Sequence, residues 1–369
     1  MNTTTTDQLE DIAAQFLIHG DFVEARPYGS GHINDTFAVT MNQGGTPVRY
    51  IFQRMNDYVF RDPPALMDNI RRVTEHQRAK LADAPDASRR SLQLIPARDS
   101  RSYYRAADGA YWRVYIFIEH AATYDIIETP EQAFEAASAF GTFQQTLADL
   151  PGERLNETIP DFHNTPKRYE NFEAAQRADR CGRARNAAEE IAFAEKFAAM
   201  ANTLTELHAR GDIPERITHN DTKLNNVMID DTSGKGICVI DLDTVMPGLS
   251  LYDFGDMVRS ATNPAAEDEK DLNKVYMHMP TFDALVRGFL SAAGSILTEP
   301  EAAHMAFSGK LITYEIGLRF LTDYLEGDLY FKTDSEDHNL RRCRTQFRLV
   351  CSMEEQGKQM RQVVEKHRC

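Results

Sequence analysis

Residues 218–226 read Thr-His-Asn-Asp-Thr-Lys-Leu-Asn-Asn, and residues 239–243 read Val-Ile-Asp-Leu-Asp. Asp221 stands two positions after His219, Asn226 five positions after Asp221, and Asp241 twenty positions after Asp221. These residue types suit phosphoryl transfer, in which one carboxylate orients an attacking hydroxyl while an amide and a second carboxylate hold magnesium on nucleotide phosphates. The spacing therefore assigns catalysis to Asp221 and metal binding to Asn226 and Asp241, with Asp243 as a further metal ligand. Lys223, inside the same loop, is a candidate for stabilising the transferring phosphate.

Elements must bring these residues to one place. Val227 to Asp230 and Ile237 to Ile240 have strand character and flank a turn at 232–236, so the interval forms a β-hairpin with the base at its entrance. A literal Asp253-Phe254-Gly255 triplet imitates the metal-binding motif of protein kinases. It lies thirty-two residues after Asp221, too far for this hairpin. The metal role thus goes to Asp241, and Asp253 and Asp256 are expected to cap and brace a following helix.

Upstream, 8–19 has the spacing of a short amphipathic helix. Strands are expected at 22–27, 37–41, 48–55, 91–97, 102–106 and 110–119, and a helix from Pro63 to about Leu81. A five-stranded sheet with one helix is the expected outcome. Trp112, the single tryptophan, is expected to be a buried sheet residue. Gly29-Ser30-Gly31-His32-Ile33-Asn34 lies between the first two strands, where glycines let backbone NH groups face phosphate oxygens, although two glycines in a hairpin are also ordinary turn chemistry. The third strand holds Gln53 where a protein kinase has its phosphate-binding lysine, with Arg54 facing away by strand alternation. Glu75 gains no partner role from this arrangement. Ile116 to His120, including Glu119, marks the crossing where backbone and apolar walls would hold a base.

Beyond His120 the pattern becomes helical, at 133–150, 186–210, 281–293, 299–325 and 340–367. The expected division is a small lobe of residues 1–120 and a large lobe of 121–369. A chain of 369 residues, 42% hydrophobic, can bury sizeable cores. Its net charge of −15 argues against nucleic-acid or anionic-membrane partners. Five scattered cysteines, at 181, 238, 343, 351 and 369, suggest reduced thiols in the cytoplasm rather than disulfides or zinc. No signal peptide or membrane span is expected, and neither a P-loop nor an HExxH motif occurs in the sequence.

The segment HNDTKLNN resembles the HxDxxxxN signature of the aminoglycoside phosphotransferase and choline kinase superfamily, and IDLDT and LYDFGD resemble its downstream acidic motifs. Within that superfamily, YGSGHINDTF, WRVYIFIEH, ITHNDTKLNN, VIDLDTVMPG and GLRFLTDYLEGDLYF are similar to the family of N-acetylhexosamine 1-kinases. The resemblance implies a bilobal, protein-kinase-like α+β fold, with ATP and Mg2+ as cofactors and a small-molecule sugar as partner. It also strengthens the phosphate-loop reading of Gly29, Gly31 and Asn34, and it implies adenine as the base. The implied reaction phosphorylates the anomeric C1 hydroxyl of N-acetylglucosamine or N-acetylgalactosamine. Arg319 and Tyr330 are the leading sugar contacts, followed by Asp328 and Tyr324, with His32 approaching from the small lobe. Arg319 could instead pair with Asp323 one helical turn away. The same fold acting on an amino alcohol, homoserine or an aminoglycoside, or serving as a nucleotide-binding scaffold, stays open at this point.

Overall fold

The computed structural model describes residues 4–29 and 33–368. It divides into two compact units, one of residues 1–122, 149–160 and 228–246 and one of residues 123–148, 161–227 and 247–369.

The first unit is an antiparallel sheet with two helices. Helix α1 (Thr6–Ala13) opens with a reciprocal cap between Thr5 and Gln8. Strands β1 (Asp21–Pro27), β2 (Asp35–Gln43) and β3 (Thr46–Met55) follow. The β2–β3 connection is only Gly44-Gly45, both at positive φ (60° and 95°), the backbone that a two-residue hairpin turn demands. Helix α2 (Pro63–Lys80) is capped by Asp62, with prolines in its first turn where no NH is needed. Strands β4 (Tyr104–Arg105) and β5 (Tyr111–Ile116) complete a sheet ordered β1-β2-β3-β5-β4. Phe16, Val39, Phe52, Trp112 and Val114 lie in one buried cluster with Leu9 and Ile12 of α1, so Trp112 is a core residue as expected. The expected strand at 91–97 does not form. Leu94 makes one bridge to Tyr115 and Ala97 one to Phe16, and Pro96, which lacks an NH, cannot extend a ladder between them.

The sheet's other face carries a row of polar side chains. Pairing aligns Thr36 with Gln53, and Gln53 with Arg113, giving one row across β2, β3 and β5. Strand β6 (Ala121–Ala122) leaves the sheet. The chain passes through the second unit and its short strand β7 (Arg216–Thr218), then returns as the hairpin β8 (Val227–Asp230) and β9 (Gly236–Val239). Strand β6 pairs with β8, and Asp230 anchors the hairpin turn by accepting from the Thr232 and Ser233 amides.

The second unit is mostly helical. Helix α3 (Pro130–Leu147) has a Thr129–Gln132 capping box, and α4 (Thr165–Ala178) starts at Asn164 with Pro166 in its first turn. The single helix expected at 186–210 is broken into α5 (Ala188–Phe197) and α6 (Thr203–Ala209) by a 3-10 turn at 198–200. The apolar spacing continues through it, but Asn202 and Thr203 favour a helix boundary. Strand β10 (Met246–Gly248) leads into α7 (Ser250–Thr262), followed by α8 (Met279–Ala293), α9 (Glu299–Glu326) and α10 (His338–His367). Gly327, at φ 97°, ends α9 in a left-handed cap. No helix among the described residues is long and apolar enough to cross a membrane.

Candidate active site

In the second unit, β7 delivers the chain to a loop held almost entirely by buried acids of α7. Asp253 accepts from the His219 amide at 2.9 Å and from the Asn220 amide at 2.7 Å, and its backbone carbonyl accepts from Thr222 Oγ1 at 2.7 Å. Asp256 accepts from the Thr222 amide at 2.9 Å and from Arg259 Nε at 2.8 Å. These two aspartates were expected to cap and brace a following helix; they lie inside it and hold the preceding loop. Asn220 sits at φ 66°, a conformation that asparagine tolerates. Its carbonyl accepts from His163 Nε2 at 2.9 Å, while His163 Nδ1 meets Glu315 Oε1 at 2.8 Å. A carbonyl and a carboxylate both accept, so the imidazole serves both as a cation. Burial opposes that charge, but Glu315 keeps the His163 pKa above its ordinary value.

That scaffold presents Asp221, Lys223 and Asn226 together. Lys223 Nζ is 2.8 Å from Asp221 Oδ1, and Asn226 Nδ2 donates to the Asp221 carbonyl at 2.8 Å and to Oδ2 at 3.1 Å. Burial works to raise the Asp221 pKa, yet the Lys223 ammonium, with His219 and Arg259, brings it below the usual carboxylate value. At neutral pH the group is an ionised acceptor, suited to orienting a hydroxyl. Because the Asn226 amide nitrogen is committed to Asp221, its oxygen is the atom left to offer a cation.

Arg319, on α9, does not pair with Asp323. Asp323 is taken by the amides of Leu329, Tyr330 and Phe331 at 2.8–3.0 Å and by Asn339 Nδ2 at 2.8 Å. It thereby shapes the loop that displays Tyr330, which is 63% exposed. The Arg319 guanidinium lies 5.5–5.8 Å from the ring centroids of Phe162, Tyr330 and Phe331. Beside it is Arg168, whose pKa is depressed by burial and by the Arg319 charge, and whose Nε has no partner among the described residues. Phe162 ties this wall to the 219–226 loop, since its ring packs edge-on against His163, which in turn holds Asn220. Asp328 and Tyr324 are engaged by Arg183 instead.

In the first unit, the predicted nucleotide residues have definite partners. Gln53 donates to Thr36 Oγ1 at 3.0 Å and accepts from Arg113 Nε at 2.9 Å. Arg54 faces away toward Asp35, as strand alternation requires. Asn34 donates to Asp243 Oδ2 at 2.6 Å and accepts from the Asn56 amide at 3.0 Å. Asp243 meets Arg113 with its other oxygen. Both of its oxygens are thus engaged by protein donors, which argues against the metal role expected for it. Glu119 is bound by Arg49, and its carbonyl accepts from Arg89 Nε at 2.9 Å. Glu75 pairs with Arg71. Gly29 has φ 79° with open space around its missing Cβ, whereas Ser30, Gly31 and His32 lie outside the described residues, as does Cys369. Asp241 follows β9 at φ 57°.

Sequence reasoning passed over Arg113, Arg168, Phe162 and the His163–Glu315 pair. Arg113 had a signal in its position, an arginine in the centre of the apolar strand Tyr-Trp-Arg-Val-Tyr-Ile. The others come from segments distant in sequence and carry no motif.

A profile described as the phosphotransferase enzyme family matches residues 24–285. Solved structures share the fold at low identity. A spectinomycin phosphotransferase in complex with ADP and spectinomycin is 12% identical, with a TM-score of 0.59 over 97% of this chain and 100% of that one. A choline kinase from Cryptosporidium parvum is 15% identical, with a TM-score of 0.52 over 94% and 93% of the two chains. An aminoglycoside 2'-phosphotransferase in complex with GDP is 11% identical, with a TM-score of 0.53 over 89% and 93%. With the profile spanning most of the chain and the motif residues held as described, the protein belongs to the phosphotransferase enzyme family.

Proposed function

We propose that the protein is an ATP- and magnesium-dependent kinase that phosphorylates the anomeric C1 hydroxyl of N-acetylhexosamines to give the sugar 1-phosphate. The observation that carries the acceptor class is the wall next to the catalytic loop: two neighbouring guanidinium groups, Arg168 and Arg319, framed by Phe162, Tyr330 and Phe331. Guanidinium groups donate to hydroxyl and acyl oxygens, and aromatic rings suit the apolar face of a pyranose. The same charges repel an ammonium. The acceptor of the choline kinase is a permanent cation, and aminoglycosides carry amines, so this wall favours a neutral oxygen-rich acceptor over both.

In this mechanism Asp221 accepts the hydrogen bond of the C1 hydroxyl, aims its oxygen at the γ-phosphorus, and takes the proton as the new bond forms. A hemiacetal hydroxyl is more acidic than an ordinary alcohol, so orientation dominates over proton removal. Lys223 holds Asp221 ionised and stands beside the transferring phosphoryl group. Asn226 and Asp241 supply an amide oxygen and a carboxylate, the hard oxygen ligands that magnesium takes. The ion would neutralise the nucleotide phosphates. Gly29, Gly31, Asn34 and Glu119 belong to the nucleotide side, and His32 and Tyr330 to the sugar.

ADP release from magnesium-ATP, measured with N-acetylglucosamine, N-acetylgalactosamine, glucose, galactose, choline, homoserine and kanamycin, tests the reading. Phosphorus NMR identifies the modified position. A 1-phosphate formed chiefly from the N-acetylhexosamines is expected. Turnover confined to amine-bearing acceptors would discard the sugar assignment and the role given to Arg319.

A further inference from the structure

The third strand has no lysine, but the first unit is not without a cation at that level. Arg113 stands directly across from Gln53 in the β3–β5 register and is 1% exposed. Its Nε is fixed by Gln53 Oε1, whose own amide is anchored on Thr36 Oγ1. The neutral glutamine therefore serves as a spacer that aims the guanidinium. The target is Asp243, on the turn that carries Asp241. The other Asp243 oxygen receives Asn34, whose carbonyl oxygen takes the Asn56 amide. Thr158 Oγ1 closes the turn from behind by donating to the Asp243 carbonyl at 2.9 Å. A buried pair of this kind stabilises little on its own, because removing two ions from water costs about as much as their attraction returns. Its value lies in what it orients, and here it joins two pieces of the expected nucleotide site: the turn bearing Asp241 and the strand-entry residue of the glycine loop.

We propose that Arg113 is the positioning residue of the nucleotide half, replacing from β5 the third-strand lysine of other kinases by locking the Asp241–Asp243 turn to Asn34. Its ligand class, reached through those residues, is a magnesium nucleoside triphosphate. The assignment rests on the kinase reading but not on the identity of the acceptor. Asp241 as well as Asp243 adds to the field around the guanidinium, whose pKa is raised in spite of full burial.

The test is direct binding of magnesium-ATP by calorimetry, with no acceptor present, alongside thermal melts. Five variants are compared: Arg113→Gln, Asp243→Asn, their combination, Asn34→Ala and the exchange Gln53→Lys/Arg113→Gln. Loss of a residue that orients metal-site groups weakens binding about 10- to 100-fold, and this is expected for R113Q and D243N. The double variant R113Q/D243N should be no worse than the weaker single variant, since the two residues act as one unit. The exchange should recover about tenfold by returning a cation to the paired strand. N34A leaves the buried ion pair in place, so it reports even if R113Q fails to fold, and about fivefold weaker binding is expected. Unchanged affinity in N34A, or in a folded R113Q, overturns the proposal, as does an exchange variant no better than R113Q. A wild-type protein that binds no magnesium-ATP would instead refute the kinase reading itself, with the Arg113 assignment falling along with it.

Discussion

At Asp221 two large effects oppose each other, and the winner sets the chemistry. Burial favours the neutral acid, while Lys223, His219 and Arg259 favour the anion and prevail. The acid limb of kcat/KM should therefore lie below the ordinary carboxylate pKa of about 3.9. Lys223→Met removes the largest opposing charge and leaves burial in place, so that limb should move upward in pH. An unmoved limb with unchanged turnover would remove Lys223 from the site. Asp221→Asn keeps the shape and the Asn226 contact to the backbone carbonyl but cannot accept a proton. Turnover should fall by about 10²- to 10⁴-fold while magnesium-ATP still binds. A variant that turned over normally would contradict the catalytic assignment. Asp221, Lys223 and Asn226 were legible in the sequence because one short loop holds them, so spacing alone implied proximity. Arg168 was not, and Arg113 showed only as an arginine inside an apolar strand, because the partners of both are set by strand register and helix packing.

Among the elements, α7 does the most to place the loop bearing Asp221, and its Asp253-Phe254-Gly255 triplet shows why a motif needs a structural context. Asp253 binds loop amides, Phe254 is buried against Phe282 and Phe289 of α8, and Gly255 faces α9. A Cβ on Gly255 would stand 2.6 Å from the Ser308 carbonyl oxygen and 2.7 Å from Ile312 Cγ1. The glycine thus permits a close helix crossing. Gly255→Ala should force the helices apart and destabilise the fold by about 1–3 kcal/mol, read as a lowered Tm. Because α7 carries Asp253 and Asp256, kcat should fall as well, even below the melting range. A variant with wild-type Tm would mean that α7 and α9 do not cross this tightly. The sheet was largely legible, since its hairpins turn on Gly44-Gly45 and Asp108-Gly109, between runs of strand-forming residues. Helix α4 was passed over, and the helix expected to follow Asp253 and Asp256 begins before them, at Ser250. The Asn164–Pro166 start signal of α4 was available, but α7 has no side-chain cap and begins amid residues that also read as an acidic motif.

At the scale of the whole chain, the first unit is assembled from three separate stretches of sequence, and its later pieces satisfy groups buried by the earlier one. Residues 228–246 supply Asp243 to Arg113, Asp230 to Arg89, the Val245 carbonyl to Asn69, and strand β8 to β6. Residues 149–160 bring Asn156, whose amide and carbonyl both bond to Asn69. A fragment of residues 1–122 would keep every strand of the five-stranded sheet and still lack these partners. Leaving a buried arginine without its carboxylate costs about 3–5 kcal/mol, a large part of the roughly 5–15 kcal/mol that holds a domain folded. Exposure of the surface that the hairpin covers adds to that loss. The fragment should therefore be unfolded or aggregated, with a collapsed amide proton spectrum and no cooperative melt. Extending the fragment to residue 160 should not repair it, because Asp243 is still absent. A dispersed spectrum and a sharp transition from 1–122 alone would show that the sheet is self-sufficient, and that the buried Arg113–Asp243 pair is not required for it to fold.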